Sequence, residues 1–363
     1  MKLKEKPEDF IVDELFNYKP KKEGKYLIAK LTKTNWTTQR AILAVSRALR
    51  ISKVRVHYVG IKDKKAITSQ LISILGIKKE NLEDINIADI KLEFLGYSNE
   101  DLSSKNLIGN KFKIKLNLTK EEEINLKNNI KFVKKYGFVN YFGNQRFSGG
   151  STNESGKYIL TGDYDSALKS ILTDHTGELG KKFDKYALSE WKNWKKILKE
   201  CPRIFGNESS VLNYLIKNPT DYPGAIRSIH KPIRKLYIHA YQSIIWNRSV
   251  SNLVSKNKNL YSSSTLFEQV NFCRDEIKNE ILPIIGYNSN KDIEFNKIQS
   301  NELKKDKLTI DSFLLKSMPE LKSEGSERNL ISKPKKLKYK SDVLEFELER
   351  GSYATVLIDA LIS

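Results

Sequence analysis

The chain has 363 residues, of which 64 are Lys or Arg and 44 are Asp or Glu, a formal charge of +20. At 39% hydrophobic and 10% aromatic content it can bury a core in about two ordinary domains, which excludes wholesale disorder. No apolar run approaches the ~20 residues that span a bilayer, no apolar leader opens the chain, and two cysteines, Cys201 and Cys273, are too few for a disulfide scaffold or zinc site, so a cytoplasmic protein with reduced thiols and no membrane contact is expected.

Residues 25–31 read as a strand. Thr37 or Thr38 can cap a helix whose apolar positions Ile42, Val45 and Leu49 fall at helical spacing, ending by about Ser52. Residues 54–59 alternate as a strand does, 60–66 are charged and turn-like, and 67–75 are again strand-like, a strand, exposed loop, strand unit. Lys111-Phe112-Lys113-Ile114-Lys115-Leu116 alternates strictly, which puts one face on the core and the other toward water or phosphate. Residues 120–136 predict a helix. The Ser-Gly-Gly stretch at 148–150 suggests a boundary, followed by amphipathic helices such as 189–199 and 236–254. Residues 255–310 are polar and weakly periodic and predict long surface loops. Strand alternation returns at 343–348 and a helix at 354–362.

The excess positive charge predicts a polyanionic partner, since cations displace the counterions condensed on nucleic acid. Only twelve of the basic residues are Arg. Lys acts mainly as a hydrated point charge, which favours recognition of phosphate and shape over base edges. Lysine-rich usage also fits genome composition or heat adaptation.

The familiar cofactor signatures are missing: there is no phosphate-binding Gly-rich loop, dinucleotide fingerprint or paired-His zinc helix. His57, His175, His230 and His239 share no ligand spacing. The densest candidate for chemistry is Gly60-Ile61-Lys62-Asp63-Lys64-Lys65-Ala66-Ile67-Thr68-Ser69-Gln70. On composition alone it is a solvated turn with Asp63 at a tight bend. The alternative is a carboxylate kept ionised by its ammonium neighbours, as a nucleophile or base requires. A second cluster, Asn140-Tyr141-Phe142-Gly143-Asn144-Gln145-Arg146-Phe147, combines rings that can stack on bases with amides that match base edges. Equally, it reads as a core strand ending in a polar turn.

The order of these clusters resembles the TruD family of tRNA pseudouridine synthases, particularly its archaeal and eukaryotic branch. Lys4-Glu5-Lys6-Pro7-Glu8-Asp9-Phe10-Ile11-Val12-Asp13-Glu14 is similar to the family's N-terminal motif, residues 60–70 to its catalytic pattern, and residues 107–112 to the next block. Residues 140–147 match its Asn-Tyr-Phe-Gly-x-Gln-Arg-Phe signature, 239–243 resemble a motif of the inserted domain, and 351–357 the C-terminal motif. Two departures stand out. Ser148 replaces a usual Gly, and 98–105, normally basic, is rich in Ser and acid.

The resemblance implies an α+β fold: a catalytic domain with a central, largely antiparallel sheet from residues 1–150 and 321–363, and an inserted TruD-specific α/β domain at 151–320. It implies Asp63 as the catalytic aspartate, Phe142 as an aromatic against the target base, Asn140 as an active-site amide, and Lys4 and Phe10 lining the same cleft, with Lys4 inferred as a charge partner of Asp63. No metal or other cofactor is implied. The partner would be tRNA, modified at position 13 of the D arm, with other RNAs accepted by some relatives and no obligatory protein partner evident. A non-catalytic RNA-binding protein would share the charge and aromatics but gives no reason for an acid among lysines 62–65. An RNA methyltransferase would need a Gly-rich cofactor loop, and none occurs.

Overall fold

The computed structural model describes residues 6–147, 151–264 and 268–363. Lys4, Ser148 and the Gly149-Gly150 boundary therefore lie outside the described residues. The chain folds as a mixed α+β protein in two compact units, Met1–Gly137 with Ser332–Ala354 and Ile362, and Phe138–Ile331 with Thr355–Leu361 and Ser363.

The first unit is built on one eight-stranded sheet. Its strands are β1 (Phe10–Phe16), β2 (Tyr26–Thr34), β3 (Val56–Tyr58), β4 (Ile67–Leu75), β5 (Ile90–Ser98), β6 (Leu107–Lys115) and, from the far end of the chain, Lys335–Lys340 and Val343–Glu349. The order is Lys335–Lys340, Val343–Glu349, β6, β1, β4, β2, β5, with β3 added beside β4. β1 and β4 run parallel, with Val12 opposite Thr68, and the other pairs described are antiparallel. The sheet is thus largely antiparallel, as expected.

Alternation decides what each strand buries. Leu27, Ala29 and Leu31 of β2 pack with Ile72 and Ile74 of β4 under α1 (Thr38–Ala48), which contributes Ala41, Ile42 and Val45. The Thr37 hydroxyl caps α1 by accepting from Arg40 N at 3.3 Å. Phe112 of β6 stacks on Phe346 at 5.0 Å and meets Phe10 edge-on at 6.4 Å. The expected strand at 54–59 is shorter than its alternation suggests. Lys53–Arg55 forms a 3-10 turn, and Val54, 72% exposed, buries nothing.

On the other face of β6 the lysines stand exposed, but not unopposed. Lys111 lies between Asp13 and Glu347 in register, and Lys113 faces Glu345 at 3.8 Å. Opposite charges across strands stabilise the sheet surface.

In the second unit, helices pack around the long helix Lys231–Val254, whose Ile238, Ala240, Tyr241, Ile244 and Ile245 join the core. The helix expected over 189–199 is interrupted. One helix ends at Ser189, Lys192 takes a left-handed φ of 75°, and the next is Trp194–Glu200. Residues 255–310 are more ordered than their composition suggests: Leu260–Ser264 and Gln269–Cys273 form a hairpin, and Glu294–Lys305 is a helix. That helix was hard to see because it buries Asn296, Gln299 and Glu302. Among the described residues no helix is long and apolar enough to cross a membrane.

Candidate active site

Asp63 sits half-buried on the loop between β3 and β4, and three polar networks within the first unit hold that loop. In the first, Gln70 of β4 donates from Nε2 to Gly60 O at 3.0 Å and accepts from the Thr38 hydroxyl at 3.2 Å, while Thr38 Oγ1 accepts from Lys62 N at 3.0 Å. Thr38 and Gln70 are both buried, so the start of α1 and the middle of β4 fix the loop from below.

The second network is an ion pair. Lys62 Nζ lies 2.7 Å from Glu14 Oε1 with side-chain exposures of 9% and 1%, and Nζ also donates to Asn110 Oδ1 at 2.9 Å. The other Glu14 oxygen accepts from Leu71 N at 3.1 Å. The Asp63 loop is thereby strapped to β1, β4 and β6 at once. Of the three lysines flanking Asp63 in sequence, Lys62 is a strut pointing to Glu14, and Lys64 and Lys65 are exposed.

The third network centres on Lys33 near the end of β2. It is fully buried, yet its Nζ donates to Asp63 O at 2.8 Å and to Trp36 O at 2.5 Å. Burial lowers its pKa from 10.5 to about 8, against the pull of the Asp63 carboxylate and with a further push from Lys62.

Within the second unit, the segment from Asn140 to Phe142 is clamped on both sides. Asn247 of the long helix donates from Nδ2 to Phe142 O at 2.9 Å and accepts from Phe142 N at 2.8 Å. Arg328 donates to Asn140 O at 2.7 Å, Asn140 Oδ1 at 2.8 Å and Tyr141 O at 3.2 Å, and its guanidinium lies 4.1 Å from the Phe142 ring centre. Trp246 meets the same ring edge-on at 5.7 Å. Asn140 is buried and donates to Asn329 O at 3.1 Å, so its amide serves the protein's own backbone and Arg328. The result is an aromatic ring held in a defined orientation by a planar cation.

A family profile described as tRNA pseudouridine synthase D (TruD) matches residues 1–360. The chain belongs to the TruD family. It is 30% identical to a protein of Methanosarcina acetivorans described as "Probable tRNA pseudouridine synthase D", over 98% of this chain and 91% of that one. A relative of the same description from Methanococcoides burtonii is 31% identical over 98% and 92%. A crystal structure described as that of the "Putative tRNA pseudouridine synthase D (TruD)" from Methanosarcina mazei superposes with a TM-score of 0.73 at 27% identity, covering 99% of this chain and 93% of that one.

Of the residues that the TruD resemblance singled out, Asp63 and Phe10 belong to the first unit and Asn140 and Phe142 to the second. Phe10 is buried against Phe112. Lys4 is outside the described residues. Lys33, Asn247 and Arg328 were missed, although one signal was available. Arg328 is one of only twelve arginines in a lysine-rich chain, and a planar fork is what bidentate and stacking work requires. The acid-rich 98–105 segment, a departure from the TruD pattern, has a local role. Asp101 accepts from Ser73 and Leu102 N and pairs with His57, tying this segment to β3 and β4.

Proposed function

We propose that the chain is a tRNA pseudouridine synthase that converts uridine to pseudouridine at position 13 of the D arm, with Asp63 as its catalytic carboxylate. The observation that carries the reading is the anchoring of the loop that bears half-buried Asp63: within a TruD-family chain, Gly60, Lys62 and the Asp63 carbonyl are held from β1, β2, β4, β6 and α1. A solvated turn would need none of these networks.

The isomerisation breaks the bond from C1′ to N1, turns the uracil, and joins C1′ to C5. The proton leaving C5 is balanced by the one gained at N1, so the reaction is redox-neutral and needs no energy source. An ionised Asp63 can begin it by attacking C1′ or by removing the C2′ proton to give a glycal. A primary isotope effect with deuterium at C2′ separates the two routes. Extruding the target base costs a few kcal/mol, which stacking offsets. Phe142, its ring oriented by Arg328 and Trp246, takes that stacking role, and Asn140 maintains the segment that carries it. Residues 1–150 and 321–363 would make up the catalytic domain, with 151–320 inserted; the C-terminal strands that complete the first unit's sheet support this, while the compact units themselves part at Gly137/Phe138 and Ile331/Ser332 and assign Thr355–Leu361 to the second.

The test is to map pseudouridine in tRNA treated with the wild type and with Asp63→Asn, alongside RNA affinity at several salt concentrations. Modification at position 13 by the wild type only, with affinity retained in the variant, supports the proposal. Modification at another uridine corrects the target, unchanged modification by the variant refutes the role of Asp63, and binding without modification by either protein favours a non-catalytic RNA-binding role.

A further inference from the structure

β2 carries a contradiction in its own pattern. Leu27, Ala29 and Leu31 form the apolar stripe under α1, and strand alternation puts position 33 on the same face, where another apolar side chain is called for. Lysine occupies it and is fully buried. A buried ammonium is costly, and an apolar residue of similar length would fill the space without that cost. What the lysine does instead is join two turns at one end of the sheet. It bonds Trp36 O in the turn leaving β2, where Asn35 is left-handed at φ 60° and donates to Ala66 O at 3.3 Å, and it bonds Asp63 O in the loop entering β4.

We infer that Lys33 is a positioning residue for the reaction: its buried ammonium fixes the Asp63 peptide, and hence the aim of the carboxylate, and sets a positive charge beside the residue that acts on the ribose. The inference rests on the reading of Asp63 as the catalytic acid. The charged groups facing Lys33 are Asp63, which favours its charge, and Lys62, which opposes it. Lys62 is itself held by Glu14, so the opposing charge is partly spent. Deprotonated Lys33 keeps two N–H donors for the two carbonyls. An alkaline loss of activity therefore reads the charge, and an apolar substitution reads charge and hydrogen bonds together.

The experiment measures single-turnover pseudouridine formation at saturating tRNA, from about pH 6 to pH 10, for the wild type, Lys33→Met and Asp63→Asn, with RNA affinity measured for each. The wild-type rate is expected to fall about tenfold per pH unit above about pH 8. Lys33→Met is expected to be on the order of 100-fold slower at neutral pH, the scale of a slightly misplaced reacting group. Its RNA affinity should be unchanged, and the alkaline fall near pH 8 should be absent from its profile. Titration of the RNA is common to all three proteins and cancels in the comparison. A Lys33→Met rate within threefold of wild type, or the same alkaline fall in both, overturns the inference. Should Lys33→Met fail to fold, the wild-type profile decides, since a rate that does not fall near pH 8 overturns it equally. Activity in Asp63→Asn would sink the reading of Asp63, whereas an inert Asp63→Asn beside a fully active Lys33→Met sinks only the role given to Lys33.

Discussion

Replacing Glu14 with Ala would show how firmly the Asp63 loop is strapped. Glu14 is 1% exposed, its partner Lys62 is 9% exposed, and the two lie 2.7 Å apart. Removing the carboxylate leaves the Lys62 ammonium buried with Asn110 as its remaining hydrogen-bond acceptor, and takes away the acceptor for Leu71 N. Losing one partner of a buried pair costs about 3–5 kcal/mol, because the other charge is left uncompensated. In a unit of this size that lowers the melting temperature by roughly 10 °C. Thermal and urea unfolding, followed by circular dichroism, should show that drop, and turnover should fall well below the transition because Lys62 no longer draws the loop toward β1. The double variant Glu14→Leu, Lys62→Met should recover most of the stability, since well-packed apolar replacements of buried ion pairs are often neutral. A single-variant cost under about 1 kcal/mol, or a double variant as unstable as the two singles summed, would refute the strap as described.

Arg328→Lys keeps the charge but loses the planar fork that bonds Asn140 and Tyr141 and faces Phe142. It should cost about 2–3 kcal/mol and at least about tenfold in turnover, and an unaltered enzyme would remove Arg328 from the account. His175 gives a pH signature in the second unit. Burial disfavours its charged form, but Glu208 and Asp184 outweigh that and raise its pKa, while Phe205 stacks on the ring at 4.3 Å. Its stabilising contribution is complete below the unfolded value of about 6.5 and is lost as pH rises through the raised native value. Urea midpoints should therefore fall across that window in the wild type and stay flatter in His175→Phe; equal slopes would contradict the assignment. Replacing Lys111, Lys113 and Lys115 together with Ala should change the salt dependence of RNA binding by about one phosphate contact, that of Lys115 opposite Val343, because Asp13, Glu345 and Glu347 stand across from Lys111 and Lys113, whereas Phe142→Ala should cut turnover sharply. A loss near three contacts would make the stripe an RNA grip.

Much of the first unit was legible because its signals are local. The Lys and apolar alternation of β6 places its burial residue by residue, and the helix Lys120–Tyr136 begins where Thr119 and Glu122 form a capping box. The strand, loop, strand unit around Asp63 also stands, with β4 matching its expected span. What the sequence concealed is long-range. The partner of Lys62 lies on β1, far away in the chain, so the lysine cluster looked like a field around Asp63 when one member was already committed elsewhere. Lys33 reads as an ordinary surface lysine until β2 and α1 are placed together, and Arg328 gains its meaning only beside Asn140 and Phe142. Glu294–Lys305 was hidden for a related reason, since a helix that buries amides shows little hydrophobic periodicity.

The most direct measurement is the single-turnover rate of Asp63→Asn on tRNA at saturating concentration, compared with wild type. The substitution preserves size and removes the charge. A rate reduced by at least about three orders of magnitude with unchanged RNA affinity is the result predicted for a group acting on the ribose itself. A rate within tenfold of wild type would contradict the account at its centre.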